Sequence, residues 1–451
     1  MTQDSQLAKL GLFDAKVPRY TSYPTAPHFR NDVDAGRFGT WISQIPAGSE
    51  ISLYVHVPFC RRLCWFCACR TQGTQTLSPV QAYVDLLKEE IALFARHLPS
   101  GVTLSRLHWG GGTPTLLSPD MMRDLAEAIF AVTPMAKGAE FSVEIDPMEI
   151  DAPRMDVLAA LGMNRASLGV QDFDPQIQDT IGRIQPYEDT RRVVDGLRAR
   201  GIASLNADIL YGLPHQTRER LTESVQKLLS LSPDRVALYG YAHVPWMARR
   251  QTMIPTEALP TPQARLGLFD TARRLFTWDG YREIGIDHFA LPDDSMAIAQ
   301  RTGQLRRNFQ GYTVDPSPVL VGLGASSISR FPQGYAQNDP STSAHTAAIR
   351  AGRFSTKRGH QFMGDDILRA RMIESLMCSF EISAPALEAE FGGGRAQIDA
   401  LFAEAARAFP GMVEITDGVL CVLSEGRPLT RMIAQVFDAY GMDTAKHSSA
   451  I

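Results

Sequence analysis

From Leu53 onward one unit recurs six times: a short strand of apolar or β-branched residues, a loop with unusual residues, then a helical pattern. Strands are expected at Leu53–Val57, Leu104–Trp109, Phe141–Ile145, Arg165–Val170, Ser204–Leu210 and Val236–Tyr241. Strands alternating with helices run parallel, because the chain returns to the same end of the sheet before each new strand. Six such units predict an incomplete (β/α)6, TIM-like barrel, with its chemistry at the C-terminal ends of the strands. Ser78-Pro79 and Ser118-Pro119 each offer an N-cap followed by proline at the first helical position.

Conspicuous residues collect at that end. Cysteines follow the first strand, Gly110-Gly111-Gly112-Thr113-Pro114 follows the second, and Glu144 closes the third. Gln171 follows the fourth, Asp208 closes the fifth, and Tyr241-Ala242-His243 ends the sixth. Singly, each has an ordinary explanation: a tight turn for the glycines, which lack the Gly-Lys-Ser/Thr of a phosphate loop, and helix caps for the polar residues. Together, on one face, they are better explained by a ligand site. Glycines let backbone approach a ligand, and carboxylates accept from an ammonium or from ribose hydroxyls.

Four of the six cysteines lie between Cys60 and Cys69, beyond the strand that Pro58 ends. A zinc ribbon would draw on two separated Cys-x2-Cys pairs, and no second pair exists. Disulfides are disfavoured in a chain without a signal-peptide pattern. The spacing Cys60-x3-Cys64-x2-Cys67 suits an iron–sulfur cubane, in which three thiolates leave one of four irons open to a substrate. Cys378 and Cys421, in apolar surroundings, read as packed side chains.

With 44% hydrophobic residues over 451 positions the chain can fill two or more cores. A formal net charge of −4 gives no general attraction to nucleic acid or to an acidic membrane, so an anionic ligand must be gripped locally. There is no apolar run of the ~18 residues that a membrane span needs. The expectation is a soluble, cytoplasmic protein.

Residues 1–50 show little periodicity. Pro18-Arg19-Tyr20-Thr21-Ser22-Tyr23-Pro24 suits an extended arm that could cover a flat anionic ligand with its two rings and Arg19. In 280–360, His288 reads as a satisfied core group and Arg306-Arg307 as a solvated face. Gly322-Leu323-Gly324 is not a dinucleotide fingerprint, and no strand–helix unit surrounds it. Asp365–Phe380 reads as a helix with Ile367, Leu368, Met372, Ile373, Leu376 and Phe380 largely on one side. Two more helical patterns precede a hairpin turning at Asp417-Gly418, which suggests a mainly helical, winged-helix-like domain without a basic recognition helix. The expected organisation is an N-terminal substrate-covering arm (1–44), a core (45–279), a substrate-side extension (280–360) and a C-terminal helical domain (361–451).

Tyr54–Cys69, with Phe66 just before the third cysteine, resembles the signature of radical S-adenosylmethionine (SAM) enzymes. With Arg19–Ala26, His108–Thr115, Val143–Pro147, Leu168–Phe173, Asp208–Pro214 and Asn308–Thr313 added, the chain resembles the oxygen-independent coproporphyrinogen III oxidases. Cys69 and the segment Arg19-Tyr20-Thr21-Ser22-Tyr23-Pro24 are the narrow parts of the match. Trp65 and Ala68 stand where many relatives have tyrosine and glycine.

The resemblance implies a [4Fe–4S] cluster on Cys60, Cys64 and Cys67 and two SAM molecules. Tyr54, Gly111, Glu144 and Ile328 match contacts to the SAM on the open iron. Phe66, Gly112, Thr113, Gln171, Arg183, Asp208 and Ala242 match contacts to the second. Phe309 and Gln310 match positions near the substrate, coproporphyrinogen III, and Cys69, Tyr54 and Glu144 are the expected catalytic residues. Arg19, Arg306 and Arg307 are candidate partners for substrate carboxylates. The implied reaction is anaerobic: one low-potential electron cleaves SAM to a 5′-deoxyadenosyl radical, and two propionates become vinyl groups, giving protoporphyrinogen IX. A low-potential donor such as a flavodoxin or ferredoxin and a monomeric state are expected. A haem-delivery chaperone, and a radical methylase or cyclopropanase on the same scaffold, are disfavoured by the arm; Cys69 also argues against the chaperone. An electron-transfer protein with Cys69 as fourth ligand leaves the six-strand face unexplained.

Overall fold

The computed structural model describes residues 3–441 and 448–451; part of the expected C-terminal domain, 442–447, lies outside the described residues. All six expected strands form: β1 (Glu50–Val57), β2 (Thr103–Gly111), β3 (Met135–Ile145), β4 (Arg165–Gln171), β5 (Ser204–Tyr211) and β6 (Arg235–Gly240). They are parallel neighbours in chain order, with helices between them.

The sheet continues past both edges of this unit. β7 (Arg282–Ile284) and β8 (His288–Ala290) add an antiparallel pair beyond β6, and β9 (Leu320–Leu323) lies parallel against β1. From β9 the chain turns back through β10 (Ile328–Phe331), β11 (Gly334–Asn338) and β12 (Thr356–Gln361). The order is β12-β11-β10-β9-β1-β2-β3-β4-β5-β6-β8-β7, so the (β/α)6 unit is open, as expected of an incomplete barrel. β9 includes Gly322 and Leu323 and is followed by a strand, so no strand–helix unit surrounds Gly322-Leu323-Gly324, as expected. It is a buried strand beside β1, and four residues buried throughout give no alternation by which a sequence could reveal it.

Alternation along the six parallel strands decides what each face does. Leu53, Val55, Val57, Leu107, Trp109, Phe141, Val143, Ile145, Ala166, Leu168 and Val170 are buried and form one continuous core. Each large apolar side chain there contributes about 1.5–3 kcal/mol of burial, which fixes the register. The residues between them are polar: Tyr54, His56, Arg106, His108, Glu140, Ser142, Glu144, Asn206 and Asp208. That second face is therefore made of polar, mostly half-buried side chains and stands apart from the apolar core. At its base Glu140 pairs with Arg106 at 2.5 Å and with Arg165 at 2.8 Å.

The N-terminal segment is more structured than the sequence suggested. Gln3–Lys9 and Ala35–Ser43 are helices, the second capped by Asp34, whose carboxylate accepts from the Arg37 amide at 2.9 Å. Phe38, Trp41 and Ile42 of that helix join the core of the sheet. Leu7, Leu12, Val17, Tyr20 and Tyr23 instead join the core of the C-terminal region. The Tyr20 hydroxyl donates to Asp438, and the Tyr23 hydroxyl accepts from the Ala439 amide. The two rings expected to cover a ligand are thus buried as anchors, at 4% and 2% exposure.

Ser118 caps its helix as expected, accepting from the Met121 amide, but Ser78 lies inside the first turn and makes no cap; Leu77 precedes it. In the C-terminal region a helix, Asp366–Ser379, is followed by β13 (Glu381–Ser383), two helices and the hairpin β14 (Val413–Thr416) and β15 (Val419–Val422). This element order is that of a winged helix. Asp417 and Gly418 both have positive φ, +52° and +76°, as a two-residue turn matching the twist of its strands requires. Ile367, expected on the apolar side, is exposed, while Leu368, Met372, Ile373 and Leu376 are buried.

Candidate active site at the C-terminal ends of the strands

The cysteine loop leaves β1 at Pro58 and is pinned to the glycine turn after β2. The Gly112 amide donates to the Val57 carbonyl at 2.7 Å and the Thr113 amide to the Phe59 carbonyl at 2.8 Å. Gly111 has φ +113°, and a Cβ on it would stand 2.5 Å from the His56 ring. The glycines therefore permit close approach to the chain's own loop and ring, rather than only to a ligand.

All six cysteines are free. Each of the first three has a donor at its sulfur, two from elsewhere in the fold and one from the loop itself. The Thr113 side chain hydrogen-bonds Cys60, the Arg183 guanidinium lies 3.5 Å from Cys64 Sγ, and the Cys69 amide donates to Cys67 Sγ at 3.4 Å. Donors placed round three sulfurs stabilise thiolates, the form that ligates iron. Hydrogen bonding from Cys69, assisted by Arg250 and Arg183, brings the Cys67 thiol down to about 6. Burial pushes Cys60 up to about 11. Among the described residues no three ligating side chains gather on one point as a single ion would need. The donor set fits a cluster, in which each thiolate takes a different iron.

Beside this loop a polar network links β1, β2 and β3. Tyr54 and His108 are paired in register and stack at 5.7 Å and 16°, and the Tyr54 hydroxyl is 2.9 Å from His56 Nδ1. Glu144 accepts from the Gly111 amide at 2.9 Å and lies 3.3 Å from His108 Nε2. Burial alone would raise the Glu144 carboxyl, but the bonds from His108 and Gly111 hold it below its ordinary value. Asp208 behaves oppositely: burial and the nearby Glu144 charge raise it to about 6, although Asn206 donates to it at 2.8 Å. Two carboxyls on one face are thus tuned apart, one ionised and one near its titration point. Ile328 adjoins Gly322, which is in register with Tyr54.

Other expected residues have largely structural bonds. Arg183 is held by the Gly169 carbonyl (2.8 Å), Gln185 (3.1 Å) and Asp146 (3.3 Å). Gln171 ends β4 at φ +70°, and Phe66 packs against the apolar cluster that contains Ile177, Ile181 and Tyr241. Sequence reasoning missed Gln251, which is fully buried. It donates to the Phe66 carbonyl (2.6 Å) and the Ala242 carbonyl (3.0 Å), and so ties the cysteine loop to the end of β6. It also passed over His56 and His108 as individual residues, although polar side chains two apart in otherwise apolar strands are a readable signal.

A cavity of about 910 Å³ opens from this end, lined by Cys69, Ala242, Arg19, Phe309, Gln310, His288 and Arg307 among others. It has the volume of a large small-molecule site. Cys69 is exposed only in the sense that it faces this cavity and a second of about 530 Å³. Its thiol is pushed well up by hydrogen bonding to Cys67 and by the negative charge there. Two expectations for the substrate side change. Arg307 is not a solvated residue: it is buried, lies 3.8 Å from Asp287 and covers the Tyr312 ring at 4.5 Å. Arg306, its neighbour on an antiparallel pair, points the other way toward Glu374 and does not line the cavity. His288 is buried as expected, yet it also lines the cavity, bonded to Asp287 at 2.7 Å.

An open (β/α)6 unit with a three-cysteine loop after its first strand and a polar strand-end face defines a radical SAM protein. Residues 54–228 match the radical SAM superfamily. The chain is 64% identical, over the full length of both, to the oxygen-independent coproporphyrinogen III oxidase of Paracoccus denitrificans. It is 59% identical, over 98% of each chain, to that of Cereibacter sphaeroides. Among solved structures, the Escherichia coli coproporphyrinogen III oxidase HemN, described as a radical SAM enzyme, superimposes with a TM-score of 0.89 at 36% identity. That match covers 95% of this chain and 100% of that one. The chain belongs to the oxygen-independent coproporphyrinogen III oxidases. As a radical SAM enzyme it uses a [4Fe–4S] cluster and SAM. No helix among the described residues is long and apolar enough to cross a membrane.

Proposed function

We propose that the protein converts coproporphyrinogen III to protoporphyrinogen IX without oxygen, by oxidative decarboxylation of two propionates to vinyl groups in haem biosynthesis. The observation that carries this reading is the placement of Cys69, Arg19, Phe309 and Gln310 on one large cavity reaching the cysteine loop. Cys60, Cys64 and Cys67 would hold the cluster, and Tyr54, Gly111, Glu144 and Ile328 would hold the SAM bound beside it. When bound, the cluster and SAM supply a low-potential electron and a hydrogen-abstracting fragment.

The chain's own residues do the rest. Glu144, kept ionised by His108 and Gly111, is an acceptor for ammonium or ribose hydroxyl groups. The Gly111 and Gly112 amides are already engaged within the protein, so these positions act through backbone shape. Phe66, Thr113, Gln171, Arg183, Asp208 and Ala242 would hold a second SAM. Cys69 faces the cavity, where its thiol can donate a proton to a substrate group. Arg19 and Arg307 meet carboxylates, which reconciles an acidic protein with a tetra-anionic substrate. A flavodoxin- or ferredoxin-type carrier supplies the electron to a monomeric, cytoplasmic enzyme.

The test is an anaerobic assay of the reconstituted protein with coproporphyrinogen III, SAM and a reductant. Protoporphyrinogen IX and two CO2 per substrate are expected. SAM cleavage without loss of CO2 would point to another radical reaction on this scaffold.

A further inference from the structure

Among the described residues, six arginines line the cavity against four carboxylate side chains, Asp270, Glu283, Asp287 and Glu425. Arg273 meets Glu283 at 2.9 Å and Asp270 at 3.7 Å, and Arg427 meets Glu283 at 3.1 Å. Arg307 shares Asp287 with His288, and the exposed Glu425 accepts from Ser424 at 2.7 Å. Among the described residues the hydrogen bonds of the Arg19, Arg265 and Arg431 guanidiniums go to backbone carbonyls. Arg19 donates to Gly240 (2.9 Å), Arg265 to Gly212 (3.3 Å) and Tyr241 (2.8 Å), and Arg431 to Ser449 (3.1 Å) and Ala450. Among the described residues none of the three enters an ion pair with a carboxylate. Among the described residues Arg265 Nε is buried with no hydrogen-bond partner, and its guanidinium lies 5.7 Å from the centre of the Tyr211 ring.

Asp287, already shared by Arg307 and His288, is the carboxylate in electrostatic reach of Arg19 and Arg431. Guanidinium groups gathered with so little counter-charge disfavour one another and carry a desolvation penalty. The strain registers at Arg431, which burial and then the Arg19 charge push down to about 10. The three also come from separate parts of the chain: the arm, the helix Pro262–Trp278 and the helix Thr430–Gln435. An anion bound among them would relieve the repulsion and join all three parts.

We propose that Arg265 and Arg431, with Arg19, form a carboxylate seat for the two propionates that survive the reaction. This rests on coproporphyrinogen III being the substrate. A propionate paired with a guanidinium loses that pairing as its CO2 leaves, and the arginines would again face one another unpaired. The seat therefore suits the carboxylates that persist, holding the macrocycle by them through both decarboxylations while the reacting edge faces Cys69. The C-terminal region and the arm are then parts of the substrate site, not only packing against it.

The test measures anaerobic binding of coproporphyrinogen III and of protoporphyrinogen IX, which keeps only the surviving pair, to Arg265→Gln and Arg431→Gln. Both ligands should weaken by about 10- to 100-fold, as for a lost charge-assisted hydrogen bond. The loss should appear in KM rather than kcat, with iron content and the SAM-induced spectral change as in the wild type. Arg431→Lys, keeping the charge without the fork, should recover part of the affinity and guards against a folding artefact. Undiminished binding of protoporphyrinogen IX in both variants would overturn the seat. Failure of the wild type itself to convert coproporphyrinogen III would instead sink the functional reading.

Discussion

Gly112 has no side chain because there is no room for one. A Cβ on it would lie 2.5 Å from the Phe59 carbonyl oxygen, and 2.9 Å from both the Phe59 carbonyl carbon and the Val57 carbonyl oxygen. These are backbone atoms at the root of the cysteine loop, and no rotamer change moves them. Forcing in a methyl group costs about 1–3 kcal/mol as overpacking. Separating the loops to relieve it weakens the Gly112–Val57 and Thr113–Phe59 hydrogen bonds, worth about 1 kcal/mol each. The total, about 3–5 kcal/mol, approaches the lower end of a domain's stability and falls on the contact that positions Cys60. After anaerobic reconstitution Gly112→Ala should retain a minor fraction of the wild-type iron and sulfide and melt at a lower temperature. Gly303→Ala is the control: its φ is +69°, but nothing lies within 4 Å of the added carbon, so only about 1–2 kcal/mol of backbone strain is expected, with full iron. Wild-type iron content and Tm in Gly112→Ala would refute this account of the loop.

Cys69→Ser should keep the cluster and SAM binding while decarboxylation falls sharply, whereas Cys67→Ser should lose the cluster; iron analysis beside turnover separates them, and loss of iron in both would mean the ligand set is wrong. Asp208 is raised to about 6, chiefly by burial, from an ordinary value near 3.8. The native state then binds the extra proton between these values, so this group favours folding at low pH and that contribution is lost as pH rises through about 6. Asp208→Asn should therefore raise the Tm of the apoprotein at pH 8, by up to about 3 kcal/mol in stability, and flatten its pH dependence between about 4 and 6. An unchanged Tm at pH 8 would show that the carboxylate is solvated.

The strands and the functional face were legible because one signal marks both. In five of the six strands apolar residues alternate with polar ones, β6 being the exception at Val236-Ala237-Leu238, and a polar residue two positions from another, as in Tyr54-Val55-His56, marks a face that the apolar core does not use. Glu144, Gln171 and Asp208 could be placed on it by counting. Contacts between distant segments were not legible. Nothing near Tyr20 and Tyr23 shows that Asp438 and Ala439 will bond their hydroxyls. Arg307 looked solvated beside Arg306 because the burial of one of the pair is decided by Tyr312 and Asp287, not by its neighbour. Arg265 and Arg431 stand 166 positions apart, the difference of their numbers, and meet only through the cavity. Gln251 gave no signal, since a buried glutamine between two loops looks the same in sequence as an exposed one.

The central claim is that three thiolates leave one iron open at the head of the polar face. It is tested most directly by spectra of the reduced, reconstituted protein with and without SAM. The account predicts that SAM changes the environment of a single iron, in the wild type and in Cys69→Ser alike. An iron environment unmoved by SAM in the wild type would mean that Cys69 completes a closed, four-thiolate cluster, and would contradict it.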